Sequence, residues 1–297
     1  MLKRSERIAT GCGLLAIVLW STAAGLLRSV SETFGPLGGA ALIYTVGAML
    51  LLCLLGRPRL RSISLHYLLL GSAFFVAYEV CLSLALGFAS TRTQAIEVSV
   101  VNYLWPSLTV LLAIIMNGQK ARWIIAPGTA LALFGILWVV SGEGLSPSSI
   151  VANVESNPLS YGLAVACAIT FALYSNVTRR YAGGQNLVAL FFILTAAVLW
   201  AKYLISDEII SAFDLRNSIE LVTAGAAMAA GYALWNIGIL RGNLTLLATA
   251  SYTTPVMSSA FASVWLGAEL TGQFWQGAVM VTVGSLICWQ ATRDHSA

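Results

Sequence analysis

Residues 98–119 read VSVVNYLWPSLTVLLAIIMNGQ and contain no Asp, Glu, Lys or Arg. A helix of that length, rising about 1.5 Å per residue, reaches across the roughly 30 Å hydrocarbon core of a bilayer. The same signal recurs along the chain, with charge-free stretches at 8–27, 33–56, 123–142, 156–178, 181–201, 221–240, 242–268 and 270–292. A tenth stretch, 66–87, is interrupted only by Glu79. Across 297 residues, 58% are hydrophobic and 9% charged, and the mean hydropathy is +0.83. A soluble domain would carry about 25% charge, so most of this surface does not face water. The chain reads as an all-α integral membrane protein of ten transmembrane helices.

The spans are expected near 8–30, 36–55, 66–87, 94–116, 122–141, 158–179, 187–205, 218–240, 245–266 and 271–291. With the N-terminus in the cytoplasm, the inner side collects Lys3, Arg4, Arg7, Arg57, Arg59, Arg61, Lys120, Arg122, Arg179, Arg180, Arg241 and Arg293, against Arg28, Arg92, Lys202 and Arg216 outside. Twelve cations to four place both termini in the cytoplasm. The net charge of +4 is therefore a topology signal and implies no nucleic-acid partner. The basic residues before the first span resemble a signal peptide, but no small-residue cleavage site follows, and the segment is read as a retained helix. Cys12, Cys53, Cys81, Cys167 and Cys288 all fall in apolar spans, where cysteine behaves as a small hydrophobe.

The sequence also repeats itself. At an offset of 149, Tyr103 aligns with Tyr252, Pro106 with Pro255, Ala113 with Ala262, Gly118 with Gly267, Gly128 with Gly277 and Gly135 with Gly284. Tyr78 and Tyr232 align at an offset of 154, so the register slips toward the start of each half. The halves are 1–141 and 158–297, joined by a periplasmic connecting loop at 142–157. Five spans per half is an odd number, so the second copy enters the membrane from the opposite side. Inverted repeats of this kind build alternating-access transporters, with substrate near the midplane.

The segment Val264-Trp265-Leu266-Gly267-Ala268-Glu269-Leu270-Thr271, followed by Gly277 and Gly284 and preceded by Tyr252-Thr253-Thr254-Pro255, resembles the closing signature of the EamA repeat in the drug/metabolite transporter superfamily. The first half keeps Tyr103-Leu104-Trp105-Pro106, Gly118, Gly128 and Gly135, but has Lys120 where the second has Glu269. Within that superfamily the sequence is most similar to the bacterial YddG-type exporters of aromatic amino acids. The resemblance implies a multi-pass carrier of the bacterial inner membrane, with a central cavity between the repeats, that moves small amphipathic metabolites out of the cell.

An ionisable side chain within a span costs several kcal/mol unless it faces a cavity or a partner. Glu79, about 20 Å into the third span, is therefore the first candidate for substrate binding or coupling. Arg28 and Glu97 lie in the same outer half. Either Glu79 or Glu97 pairs with Arg28 as an outer gate, one carboxylate carries a proton, or these side chains snorkel to the outer surface.

A second constellation is aromatic and amide. It comprises Tyr232, Trp235 and Asn236 on the eighth span, Asn102 and Tyr103 on the fourth, Ser251 and Tyr252 on the ninth, Tyr78 on the third, Phe171, Tyr174 and Thr178 on the sixth, and Ser21 and Gly25 on the first. Helical spacing gathers each set on one face. Rings stack on an aromatic substrate and attract ammonium groups, while hydroxyls and amides satisfy its polar ends. The plainer alternative is interhelical packing, with hydrogen bonds worth about 1 kcal/mol each. Pro106 and Pro255 are expected to kink the fourth and ninth spans, as hinges or as fixed bends.

Signals for other chemistry are poor. Gly11-Cys12-Gly13-Leu14-Leu15-Ala16 fits a dinucleotide fingerprint only formally, because no strand precedes it. Two histidines, His66 and His295, leave no His-based metal cluster, and no Walker A sequence offers ATP coupling. The chain is read as a cofactor-free secondary exporter and not an enzyme. Its partners are the bilayer and a small-molecule substrate, aromatic amino acids, and a monomer suffices because one chain holds both halves. The alternatives are export of cationic drugs or other metabolites, with Glu79 as the binding group, and a membrane enzyme or assembly subunit.

Overall fold

A computed structural model describes residues 4–56, 63–118, 120–142 and 144–292, and among these the regular structure is entirely helical. The N-terminal half contains α1 (Arg4–Ser21), α2 (Ala23–Phe34), α3 (Pro36–Leu55), a π turn (Tyr67–Gly71) running into α4 (Ser72–Gly87), α5 (Arg92–Asn102), α6 (Trp105–Asn117) and α7 (Ile125–Val140). The remainder contains α8 (Pro147–Ser156), α9 (Pro158–Tyr181), α10 (Val188–Leu204), α11 (Leu215–Arg241), α12 (Leu244–Ser251), α13 (Thr254–Leu266) and α14 (Gly272–Thr292). Lys3, Arg57, Arg59, Arg61 and Arg293, counted in the charge bias, lie outside the described residues.

Among the described residues, Pro36–Leu55, Tyr67–Gly87, Arg92–Asn117 and Pro158–Tyr181 are long and apolar enough to cross a membrane. The pair α1 and α2, bent by 40° at Thr22, adds a fifth if it counts as one span. The distribution of side chains is that of a membrane protein: Ile115, Leu204 and Val264 are exposed, while Ser99, Asn102, Asn176, Thr195 and Ser258 are buried. In lipid the apolar surface needs no cover and the polar groups turn inward.

The helices begin and end for local reasons. Pro36 opens α3, where its missing N–H costs nothing, after Gly35 at φ +82°. The Glu208 carboxylate then caps the helix, accepting from the Leu37 N–H at 2.9 Å and the Gly38 N–H at 3.1 Å. Asp214 and Asn217 form a reciprocal capping box at the start of α11. Residues 142–157, expected as a loop, contain a helix: Ser146 accepts from the Ser149 N–H, Pro147 follows, and α8 runs for ten residues without a buried side chain.

Both matched prolines stand in the first turn of a helix, and the chain turns two residues before each. Tyr103 and Leu104 separate α5 from α6, and Tyr252 and Thr253 separate α12 from α13. The expected kinks are therefore breaks: proline has no N–H for the carbonyl four residues back and its ring clashes with it, and the preceding helices end at those residues, Asn102 and Ser251. The helices after the breaks also end alike, on Gly118 at φ +64° and Gly267 at φ +63°.

The chain packs as two compact units, each drawing on both halves of the sequence. Unit 1 spans 1–62 and 186–268. Within it α1 packs on α11, α3 on α10, and α2 and α13 lie together. Unit 2 spans 63–185 and 269–297, where α4 packs on α9, α6 on α9, and α7 on α14. In the last pair, Gly128 and Gly135 meet Gly284 and Gly277: a Cβ on Gly284 would lie 2.6 Å from the Gly128 carbonyl oxygen, and one on Gly135 2.8 Å from the Gly277 oxygen. These glycines serve close helix approach, as their spacing suggests.

Candidate functional site

In unit 2 the sequence candidates converge. Tyr78 and Glu79 lie side by side on α4, and Glu79 is completely buried. The Tyr78 ring packs against Phe171 on α9, with centroids 4.5 Å apart, and Phe171 meets Trp105 at 4.7 Å and Tyr174 at 5.8 Å. Phe75, one turn before Tyr78, meets Tyr174 edge-on at 5.2 Å. Asn102, at the end of α5, and Tyr103 after it are both buried and interact electrostatically with Tyr78. Asn102 Oδ1 itself is buried with no partner. Cys167 and Tyr174 on α9 interact electrostatically with Glu79, and the Cys167 thiol donates to the Tyr78 carbonyl at 3.6 Å.

This arrangement follows from local structure. The turn at Tyr103 and Leu104 ends α5 at Asn102 and restarts the helix at Trp105, so both residues meet the α4 and α9 rings from the break. Glu97, five residues before Asn102 on α5, accepts a hydrogen bond from Tyr161 Oη at 3.0 Å.

Unit 1 holds a second aromatic cluster. The Trp20 indole on α1 packs edge-on against Tyr232 at 5.2 Å and tilts against Trp235, also at 5.2 Å. Tyr232 in turn meets Phe192 on α10 at 5.6 Å. Gly231 makes room for the indole, since a Cβ there would lie 2.8 Å from Trp20 Nε1. Asn236 is half-buried one turn beyond Tyr232. Ser21 donates to the Ile17 carbonyl of its own helix at 2.8 Å, and Ser251 and Tyr252, both half-buried, close α12 and enter the turn before Pro255.

Arg28 is buried and pairs with Glu32 one turn along α2, Nε to Oε1 at 2.9 Å. An i,i+4 carboxylate thus reaches the guanidinium within its own helix, and the burial of Arg28 corrects the snorkelling alternative. Next to it Ser29 Oγ donates to Glu220 Oε2 at 3.0 Å, tying α2 to α11.

Sequence reasoning missed Trp20, Trp105, Phe75 and Phe192. Trp20 was within reach, since an offset of 154, already given by Tyr78 and Tyr232, sets it on Tyr174.

Comparison with known proteins gives one consistent result. Residues 158–289 match the EamA-like transporter family. The chain is 53% identical over 286 residues to the aromatic amino acid exporter YddG of Salmonella typhimurium (strain 14028s / SGSC 2262), covering 96% of this chain and 98% of that protein. It is 52% identical, with the same coverage, to the protein of that name in Escherichia coli (strain K12). A protein of known crystal structure, 26% identical, superposes with a TM-score of 0.67 over 98% of this chain and 100% of its own. With its helices, its apolar surface and near full-length identity to these exporters, the chain belongs to the EamA-like transporter family.

Proposed function

We propose that the chain exports aromatic amino acids and similar small amphipathic metabolites across the bacterial inner membrane, as a secondary transporter working by alternating access. The observation that carries this reading is the pair of aromatic clusters, Tyr78–Phe171–Trp105 beside the buried Glu79 and Asn102, and Trp20–Tyr232–Trp235. Rings in this density bind an aromatic side chain by stacking, and a carboxylate and an amide answer the polar end of a zwitterion. The relatives named as aromatic amino acid exporters support the same substrate class.

In this reading the ten helical spans form two inverted five-span repeats, with both termini cytoplasmic and the substrate near the midplane between them. Support comes from the matched breaks before Pro106 and Pro255, from the matched left-handed Gly118 and Gly267, and from the glycines shared by α7 and α14. The breaks act as hinges. No cofactor enters the cycle, and a monomer suffices.

The test is counterflow of labelled tryptophan into proteoliposomes loaded with unlabelled tryptophan. Saturable uptake that falls in Tyr232→Ala and Tyr78→Ala is expected. Uptake no greater than that of empty liposomes, by protein that elutes as a single folded species, would sink the substrate. Glu79→Gln separates the zwitterion from the cationic-drug reading: it abolishes export if the cargo is a cation, and weakens it if the cargo is an amino acid.

A further inference from the structure

The two units treat one pair of matched positions differently. At the offset of 154 that aligns Tyr78 with Tyr232, α1 aligns with α9: Trp20 falls on Tyr174, Ser21 on Ser175 and Thr22 on Asn176. The match extends to hydrogen bonding, since Ser21 Oγ donates to the Ile17 carbonyl and Ser175 Oγ to the Phe171 carbonyl, both at 2.8 Å.

One residue further on the copies part. Thr22 interrupts its span. The hydroxyl turns back on the Leu19 carbonyl at 2.7 Å, and the chain bends by 40° from α1 into α2. Asn176 lies in unbroken helix with 2% of its surface exposed. Its Nδ2 donates to Ala172 O on α9 at 2.9 Å and to Thr109 O on α6 at 3.0 Å, and its Oδ1 accepts from Asn117 Nδ2 at 2.6 Å. One turn later, Arg180 Nη1 donates to Met116 O at 3.0 Å. Three side-chain hydrogen bonds thus clasp α9 to α6. At the offset of 149, the counterparts of Thr109 and Asn117 are Ser258 and Leu266. Leu266 has no polar group in its side chain to replace the Asn117 donor, and Thr22, in place of Asn176, spends its hydroxyl on the Leu19 carbonyl of its own helix. The clasp belongs to one copy.

We propose that Asn176 is a positioning residue for transport: its clasp on α6 holds the sixth span straight, and the cycle releases it so that the sixth span bends as the first does at Thr22. The inference rests on the alternating-access reading above. When two inverted copies generate the two access states by exchanging conformations, a difference between matched segments in one state is the change each undergoes on reaching the other. Every donor and acceptor of the Asn176 amide is taken by the protein, so its weight falls on the balance of states and not on substrate affinity. Removing two interhelical hydrogen bonds shifts such a balance about tenfold.

The test uses the full-length chain in lipid, with its five cysteines replaced and nitroxide labels on Ile115 of α6 and Arg179 of α9, both exposed. Asn176→Ala should move the distance distribution to longer separations. It should also change the maximal rate of tryptophan counterflow about tenfold, while half-saturation stays within about twofold. Asn117→Ala, which removes one bond, should act in the same direction by about threefold, and it carries the test if Asn176→Ala does not fold. An unchanged distance distribution with an unchanged maximal rate, or a change in half-saturation alone, overturns the proposal. If the wild type moves no aromatic amino acid, the transport reading fails separately and the distances alone decide whether the clasp exists.

Discussion

Tyr161 Oη donates to Glu97 Oε2 at 3.0 Å, joining the start of α9 to the middle of α5. The tyrosine is buried and the glutamate half-buried, so water competes poorly for this bond. A hydrogen bond to a charged acceptor contributes about 1.5–3 kcal/mol, and Tyr161→Phe should lower stability by about 2 kcal/mol. Glu97→Gln should do less harm, since an amide oxygen still accepts. The thermal midpoints of the detergent-solubilised proteins check this, and equal midpoints for wild type and Tyr161→Phe would reject it.

The glycine contact between α7 and α14 admits no side chain on either helix. Gly135→Leu puts a branched chain where a single Cβ already lies 2.8 Å from the Gly277 oxygen, so the helices must separate. Overpacking costs about 1–3 kcal/mol, and more where backbone blocks the way. Lower yield of folded protein and a lower thermal midpoint are expected, while Gly144→Ala, where nothing lies within 4 Å, keeps its packing and strains only a backbone at φ +70°. A larger loss from Gly144→Ala than from Gly135→Leu would refute the close-approach account.

Glu208 closes the N-terminus of α3 from the segment after α10. Glu208→Ala removes an acceptor shared by the Leu37 and Gly38 N–H groups and should cost about 1 kcal/mol, as loss of a helix cap does. Glu208→Gln keeps an acceptor and should recover part of it. Protease cleavage within 205–214, timed in proteoliposomes, reads the loosening directly. No acceleration in Glu208→Ala would argue that the cap is idle.

Trp20 depends on Gly231. Gly231→Val forces the indole off its seat against Tyr232 and Trp235, and tryptophan counterflow should fall at least as far as in Trp20→Ala. Uptake by Gly231→Val equal to wild type would remove the Trp20 cluster from the proposed site.

Much of the architecture is legible in one sequence because a bilayer imposes a length. The span expected at 36–55 is α3 to the residue, fixed by Pro36 as its first residue and by Gly56 at φ +73° after it. Other features depend on contacts that periodicity does not encode. The helix α8 is short, buries no side chain, and is opened by the Ser146 cap and Pro147. The Arg28–Glu32 pair joins residues one turn apart on α2, at the edge of the apolar stretch rather than within it, so a search for charges buried inside spans passes over Glu32. Of the site, the residues on α4, α9 and α11 were visible through their polar atoms. Trp20, Trp105, Phe75 and Phe192 were not, since an aromatic ring in an apolar span looks like lipid-facing bulk until its neighbours are known.

The glycine seam of α7 and α14 has one more property. Gly128 faces Gly284 and Gly135 faces Gly277, while the sequence offset equates Gly128 with Gly277 and Gly135 with Gly284. The seam is therefore self-complementary, like the contact across the axis of a symmetric dimer. In such a dimer every substitution is met twice; in a fused chain it is met once, at half the energetic cost, and can be answered by a change on the other side alone. On the repeat reading proposed above, fusion frees the two copies to diverge, and Lys120 opposite Glu269 in the alignment is that freedom in use.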